Sequence, residues 1–338
     1  MALKIAINGF GRIGRCVARI VSERNDVELV ALNDLTSIEM ICYLLQNDSV
    51  HGQFGCDVSV LSENVIKIGN QEVRVFNEKN PEKLDFSSLG VDVVLECSGL
   101  FLTKALTAHH LEKGVKKVIL SAPAQDAQVP TFVLGVNHHL YQNEPIISNA
   151  SCTTNCLGPI AKIIDAHFGI QKGLMTTIHA YTNGQAIIDV AHGTDRRRSR
   201  AAGVNMVPTT TGAAKAISLV LPKLEGKLHG QSVRVPTPDV SMVDLNVVVE
   251  KSVTKEEVSS LFKSYAHEEM RGILEVDERY RVSSDFIGSR FSATVADDLI
   301  QVIDGNLIKI MAWYDNEWGY SNRLVEMALF ISGENFSR

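Results

Sequence analysis

The segment SNASCTTNCLGP (148–159) sets Cys152 and Cys156 four residues apart among hydroxyl and amide side chains. Two thiols so spaced suit a metal site, a redox pair, a nucleophile or an ordinary helix start. A metal site needs further soft ligands at matched spacing, and one CxxxC without a second pair is a poor zinc signature, so no metal is expected. A nucleophilic thiol must lose its proton, which a helix N-terminus and a neighbouring base both assist. Cys152 directly follows the apolar run of 145–148 and opens a helical pattern, so its pKa is expected to be depressed. Cys156, one turn on, is expected to point into the packing. TTIHAYT (176–182) offers His179 as the imidazole, with Thr177 and Tyr181 on the same strand face by period-two alternation. A histidine in a strand is as readily structural as basic, and residue types alone leave that open.

A second chemistry-bearing stretch lies near the start. Gly9-x-Gly11-x-x-Gly14 follows the apolar run LKIAI and precedes apolar positions at helical spacing (Ile13, Val17, Ile20, Val21), and Asp34 ends the next apolar run, VELVALND. That context makes a common glycine spacing into a dinucleotide-binding fingerprint. Gly9 permits the tight turn, Gly11 the approach of a pyrophosphate, and Gly14 close packing of helix on strand. Asp34 is placed to accept hydrogen bonds from a ribose. Charge for anions is concentrated in DRRRSR (195–200) and Arg234, with hydroxyl donors at 209–211.

The elements that must position these groups fall into two textures. Strand, glycine turn, helix and strand within 34 residues make a βαβ unit, hence a parallel sheet. VIKIGNQEVRVF reads as a hairpin turning at Gly69-Asn70. VDVVLECSG and KKVILSAPA are further strands about the helix TKALTAHHLEKG, and VPTFVLGVN and PIISNAS complete the half. After Cys152 come a helix over about 154–167 and longer strands in 173–182, 232–250 and 307–315, with Pro236 and Pro238 at a bend or edge. TKEEVSSLFKSYAHEE is a helix capped by Thr254 with Glu257 three residues on. The expected fold class is α/β, a Rossmann domain (1–151) plus an α+β catalytic domain with a mixed sheet (152–316), and a C-terminal helix (317–338) that packs back on the first.

With 338 residues, 45% hydrophobic and 21% charged, the chain suits two globular domains. A net charge of −6 provides no general field for nucleic acid, and no apolar stretch approaches a membrane span. Six cysteines without an export signal read as reduced thiols, so the expected location is cytoplasmic.

INGFGRIGR, SNASCTTNC, TTIHAYT, TTTGAAKA, VRVPTP and WYDNEWGYSNR resemble, in colinear order over essentially the whole chain, the phosphorylating glyceraldehyde-3-phosphate dehydrogenases of glycolysis. The resemblance implies that Cys152 is the nucleophile and His179 its base. It implies that Ser151, Thr153, Thr182, Arg197, Thr211, Gly212 and Arg234 hold the phosphate of D-glyceraldehyde 3-phosphate and the attacking inorganic phosphate. By the same resemblance Asn316 orients the nicotinamide carboxamide, while Arg12, Ile13, Asp34, Lys79 and Ser121 touch the dinucleotide. It further implies NAD as cofactor and a homotetramer. Val190-Ala191 stands where NAD-specific members usually carry leucine and proline, so NADP is expected as a weaker alternative; Gly158 stands where alanine is usual. Two rivals stand beside this reading. Erythrose-4-phosphate dehydrogenase shares the thiol and the glycine turn, though the intact 209–212 site favours the triose enzyme. A non-catalytic interaction protein on the same scaffold would not require Cys152, His179 and both anion sites together.

Overall fold

A computed structural model describes residues 2–193 and 195–333 as two compact units. The first comprises residues 2–132, 139–150 and 321–333, and the second residues 133–138 and 151–320. Residues 334–338 of the expected C-terminal segment lie outside the described residues.

The first unit is built on eight strands in the order Ile146–Ser148, Lys117–Leu120, Val93–Glu96, Leu3–Asn8, Val27–Asn33, Gln71–Phe76, Val65–Ile68 and Val58–Ser62. The first six run parallel; Val65–Ile68 pairs antiparallel with Gln71–Phe76 across the Gly69-Asn70 turn, and Val58–Ser62 pairs antiparallel with Val65–Ile68. Parallel strands are covered on both faces, which is why their sequences are unbroken apolar runs; Val93, Val94 and Leu95 are all fully buried. Leu3–Asn8 lies between Val27–Asn33 and Val93–Glu96, so the chain order reverses there. A crevice at the carboxyl ends of the strands at such a point is the usual ligand site of a doubly wound sheet. The apolar segment 129–137 contributes only one bridge, Thr131 to Ser148. Pro130 lacks an N–H, Gly135 takes a φ of +82°, and Asn137 Oδ1 accepts from Val133 N at 2.8 Å, so local turns replace a strand.

The second unit carries a mixed sheet. Along it run Val207–Thr210, Leu228–Val235, Ile170–Ala180, Ser241–Val249, Leu307–Tyr314, Ala293–Ala296 and Leu274–Asp277, with Gln301–Ile303 paired to Leu307–Tyr314. Pro236 and Pro238 fall in the bend between two of these strands. Ser241–Val249 and Leu307–Tyr314 alternate buried and partly exposed residues, and the helix Cys152–Phe168 packs against this sheet. Lys255–His267 starts with the reciprocal capping box of Thr254 and Glu257. No described helix is long and apolar enough to cross a membrane.

Candidate active site

The glycine turn shows three different reasons for glycine. Gly9 has a φ of +95°, and a Cβ there would lie 2.5 Å from Ser98 N. At Gly14 a Cβ would collide with the carbonyl oxygen of Gly9. Both are demanded by the protein itself. Gly11 is extended (φ −73°, ψ −155°), and a Cβ there would meet nothing within 4 Å. The helix Arg12–Ser22 that it opens has no side-chain cap and no acidic residue in its first turn. Its positive end, carrying the Arg12 and Ile13 backbone, is therefore open to an anion, and the space above Gly11 fits a pyrophosphate.

Asp34 clamps the same turn. One carboxylate oxygen accepts from Phe10 N (2.8 Å) and the other from Thr36 N (3.0 Å), which leaves each with a lone pair for a ribose hydroxyl. Beneath it lies a buried polar chain that the sequence did not reveal. Asn33 Nδ2 donates to Asn8 Oδ1 (2.8 Å), Asn8 Nδ2 to Glu96 Oε2 (2.6 Å), and Ser98 N to Glu96 Oε1 (2.9 Å). Burial pushes the Glu96 carboxyl up to about 7. Asn33 Oδ1 also accepts from Glu78 N (2.9 Å), which anchors the loop bearing exposed Lys79; Ser121 N donates to Glu96 O (2.9 Å). The Arg12 guanidinium forms an ion pair with Asp48, which leaves the Arg12 backbone at the helix start facing the turn. Burial opposes ionisation of Asp48, but hydrogen bonds from Arg12 and from the N–H groups of His51 and Val50 hold its carboxyl well below the usual range.

In the second unit Ser151 caps the helix Cys152–Phe168, its hydroxyl accepting from Thr154 N at 3.1 Å. Cys152 is the first helical residue, and its Sγ lies 3.7 Å from His179 Nε2. His179 Nδ1 lies 2.7 Å from the carbonyl of Ala180 and 3.0 Å from Arg234 Nη1, and Nε2 faces the thiol. Arg234 is the register partner of His179 on the adjacent parallel strand, and its Nη1 donates to Ala180 O at 3.1 Å. Burial, then the charge of Arg234, lowers His179 to about 3. Burial raises the Cys152 thiol, opposed by Arg234 and by hydrogen bonding from Thr153. The direction at Cys152 is opposite to the one expected of a helix start, with desolvation of the thiolate as its largest cause. Cys156 is fully buried, as its spacing implied.

Tyr314 closes this pocket from below. Its hydroxyl is shared between Thr153 Oγ1 (2.9 Å) and Thr177 Oγ1 (2.8 Å), and its ring meets His179 edge-on. Thr153 is buried, its hydroxyl bonded to that of Tyr314. Among the arginines, the charge felt at Arg234 is that of Arg198, whose Nε donates to Thr209 Oγ1 at 3.0 Å. Arg197 is exposed and lines a separate opening of about 730 Å³ with Arg196 and Thr210. The sequence reading named Arg197, whereas the arginine hydrogen-bonded to the strand beside Arg234 is Arg198. Thr211 Oγ1 accepts from Ala213 N (3.2 Å), Gly212 caps Ala213–Val220 without a side chain, and Thr182 is exposed just past its strand. Asn316 is buried, its Oδ1 held by Ser241.

A doubly wound unit with an open glycine turn and a mixed-sheet unit bearing a thiol–imidazole contact together match the class of dinucleotide-dependent oxidoreductases. Residues 3–104 match the family described as glyceraldehyde 3-phosphate dehydrogenase, NAD binding domain, and residues 151–316 match its C-terminal domain. The chain is 50% identical over 333 residues to glyceraldehyde-3-phosphate dehydrogenase 1 of Bacillus cereus, covering 98% of this chain and 99% of that one. It is 49% identical over 336 residues to the glyceraldehyde-3-phosphate dehydrogenase of Geobacillus stearothermophilus (99% of each). It is 50% identical over 337 residues to that of Helicobacter pylori strain J99 (97% and 99%). The chain belongs to the glyceraldehyde-3-phosphate dehydrogenase family and is an NAD-dependent enzyme of it.

Proposed function

We propose that the chain converts D-glyceraldehyde 3-phosphate and inorganic phosphate to 1,3-bisphosphoglycerate, with NAD accepting the hydride. The observation that carries this reading is the contact of Cys152 Sγ with His179 Nε2, beside Arg234. Sγ adds to the aldehyde carbon, and the thiol proton passes through Nε2 to the new hydroxyl. His179 then takes that hydroxyl proton as hydride leaves, which generates a thioester on Cys152. The Cys152 N–H is placed as an oxyanion donor at the helix start. Inorganic phosphate attacks the thioester carbon, the C–S bond breaks, and the imidazolium returns its proton to the departing sulfur.

Arg234, Arg198, Thr182, Thr211, Gly212 and the Ser151 hydroxyl supply the anion sites. A substrate phosphate on Arg234 offsets the charge that holds His179 down, so binding raises the basicity of the imidazole. The glycine turn and Asp34 hold the dinucleotide with Lys79 and Ser121 at its rim, and the Asn316 amide orients the nicotinamide. NADP is used less well, because its 2′-phosphate meets the Asp34 carboxylate.

Assembly is as a homotetramer. Ile187, Val204 and Met206 are each at least three-quarters exposed, more apolar surface than a monomer of this kind leaves bare. The six free cysteines agree with a cytoplasmic location. Steady-state assays with D-glyceraldehyde 3-phosphate and D-erythrose 4-phosphate, with and without phosphate, test the reading. It requires the triose to be preferred and turnover to depend on phosphate.

A further inference from the structure

We propose that Ser241 is a positioning residue for hydride transfer: its hydroxyl fixes which end of the Asn316 amide faces the cofactor, and so which face of the nicotinamide is used. The proposal rests on the reading of Asn316 given above.

Ser241 opens the strand Ser241–Val249, and its neighbour Met242 pairs with Ile178 on one side and Trp313 on the other. It therefore sits between the end of the strand that carries His179 and the end of the one that leads to Asn316. Ala180, Ser241 and Asn316 are all buried. Ala180 N donates to Ser241 Oγ at 3.0 Å, and a main-chain N–H can only donate. The single hydroxyl proton is free to go elsewhere, and it goes to Asn316 Oδ1 at 2.6 Å.

An amide can present either end, and here the choice is forced. With Oδ1 toward Ser241, every donor in the chain Ala180 N, Ser241 Oγ and Asn316 meets an acceptor. With the amide reversed, its NH2 would face Oγ and the serine proton would lose its acceptor. Asn316 thus presents two N–H donors and no acceptor on its other side, and among the described residues Nδ2 has no hydrogen-bond partner. Donors there match the carboxamide oxygen of a nicotinamide and repel its NH2. Turning the ring over carries the carboxamide away from Asn316, so a fixed amide selects one ring face. The same hydroxyl holds the N–H of Ala180, whose carbonyl meets His179 Nδ1 at 2.7 Å. One buried hydroxyl therefore couples the orientation of the base to that of the cofactor-facing amide.

The test compares wild type, Ser241→Ala, Ser241→Thr and Asn316→Ala, using substrate deuterated at the aldehyde carbon and NMR of the NADH formed. Wild type places deuterium at one C4 position. Ser241→Ala is expected to place it at both and to lower kcat about tenfold, with KM for NAD changed by less than about threefold. Ser241→Thr, which keeps the hydroxyl, restores a single position. A cofactor-free readout accompanies this: hydrogen exchange of the peptide containing Ala180 quickens in Ser241→Ala and not in Ser241→Thr. If Asn316→Ala scrambles the deuterium while Ser241→Ala, folded by circular dichroism, does not, the inference is wrong and the reading of Asn316 stands. If Asn316→Ala itself leaves one position, the reading of Asn316 fails and takes the inference with it.

Discussion

Two turns in this molecule run from the carboxyl end of a strand into a helix, and they treat the helix end in opposite ways. After Leu3–Asn8 the turn is glycine, no side chain caps the helix, and the open backbone receives a ligand's charge. After Ile146–Ser148 the helix end is closed by the Ser151 hydroxyl, and the chemistry sits on the first side chain, Cys152. An uncapped helix end binds an anion because its N–H groups are unspent. A capped one has less left to offer a thiolate, and burial of Cys152 prevails. In the proposed mechanism the thiol is activated by a base from a different segment, the strand Ile170–Ala180.

The largest effect expected from breaking this contrast is at the thiol. Cys152→Ser retains the cap and the fold but replaces a readily deprotonated, strongly nucleophilic sulfur, so turnover should fall by roughly 10³-fold or more. NAD binding, measured by fluorescence titration, should stay near wild type. A serine enzyme with appreciable turnover would mean that the nucleophile lies elsewhere.

Next is the glycine turn. A Cβ at Gly11 meets no protein atom, so Gly11→Val should leave the melting temperature unchanged while weakening NAD about 10²-fold, or about 2.7 kcal/mol. Gly14→Ala should do the reverse in kind, lowering the melting temperature by forcing a Cβ against Gly9, at a cost of about 1–3 kcal/mol. If both variants lose stability equally, the distinction between ligand-imposed and packing-imposed glycine is wrong.

A smaller effect is expected at Asp34. Two like charges about 4 Å apart at an effective dielectric near 20 repel by roughly 4 kcal/mol, and solvent reduces this. Asp34→Asn keeps a carbonyl for Phe10 N and removes the charge. The ratio of kcat/KM for NADP to that for NAD should rise about tenfold or more. An unchanged ratio would assign selectivity to another residue.

The smallest concerns acid stability. Burial, then the neighbouring His109 and Lys113, lowers His110 to about 3, and its ring stacks on Phe86. As pH falls through about 6.5 the unfolded imidazole takes a proton that the folded one refuses. Stability is thus full above that range and is lost as pH drops toward 3. His179 contributes in the same sense. His110→Phe should narrow the difference in melting temperature between pH 7 and pH 4.5, and an equal or wider difference would contradict this.

These regions also differ in how far the sequence disclosed them. The glycine turn was legible because its causes are local: a positive φ at Gly9, contact within five residues at Gly14, and an acid closing the next strand. The Thr254 capping box and the hairpin at Gly69 are local in the same way. The surroundings of the thiol were not. Tyr314 and Ser241 reach it through sheet register across segments far apart in the chain, and Arg198 through a side-chain bond to Thr209. The inward turn of the Thr153 hydroxyl and the Arg12–Asp48 pair depend on partners 161 and 36 residues away. Segment 129–137 is apolar without being a strand, because apolar composition marks burial rather than strand. Its Val136 packs against Gly158, where a Cβ would lie only 3.1 Å from Val136 Cγ2, so the glycine suits this loop.

The account turns on an acyl group carried by Cys152 and released to phosphate. Mixing the enzyme with D-glyceraldehyde 3-phosphate and NAD without phosphate, quenching in acid and mapping the peptides by mass tests this directly. The predicted result is one acyl group on the Cys152 peptide for each NADH formed in the first burst, lost on addition of phosphate. An unmodified Cys152 during sustained NADH production, or an acyl group that phosphate does not discharge, would contradict it.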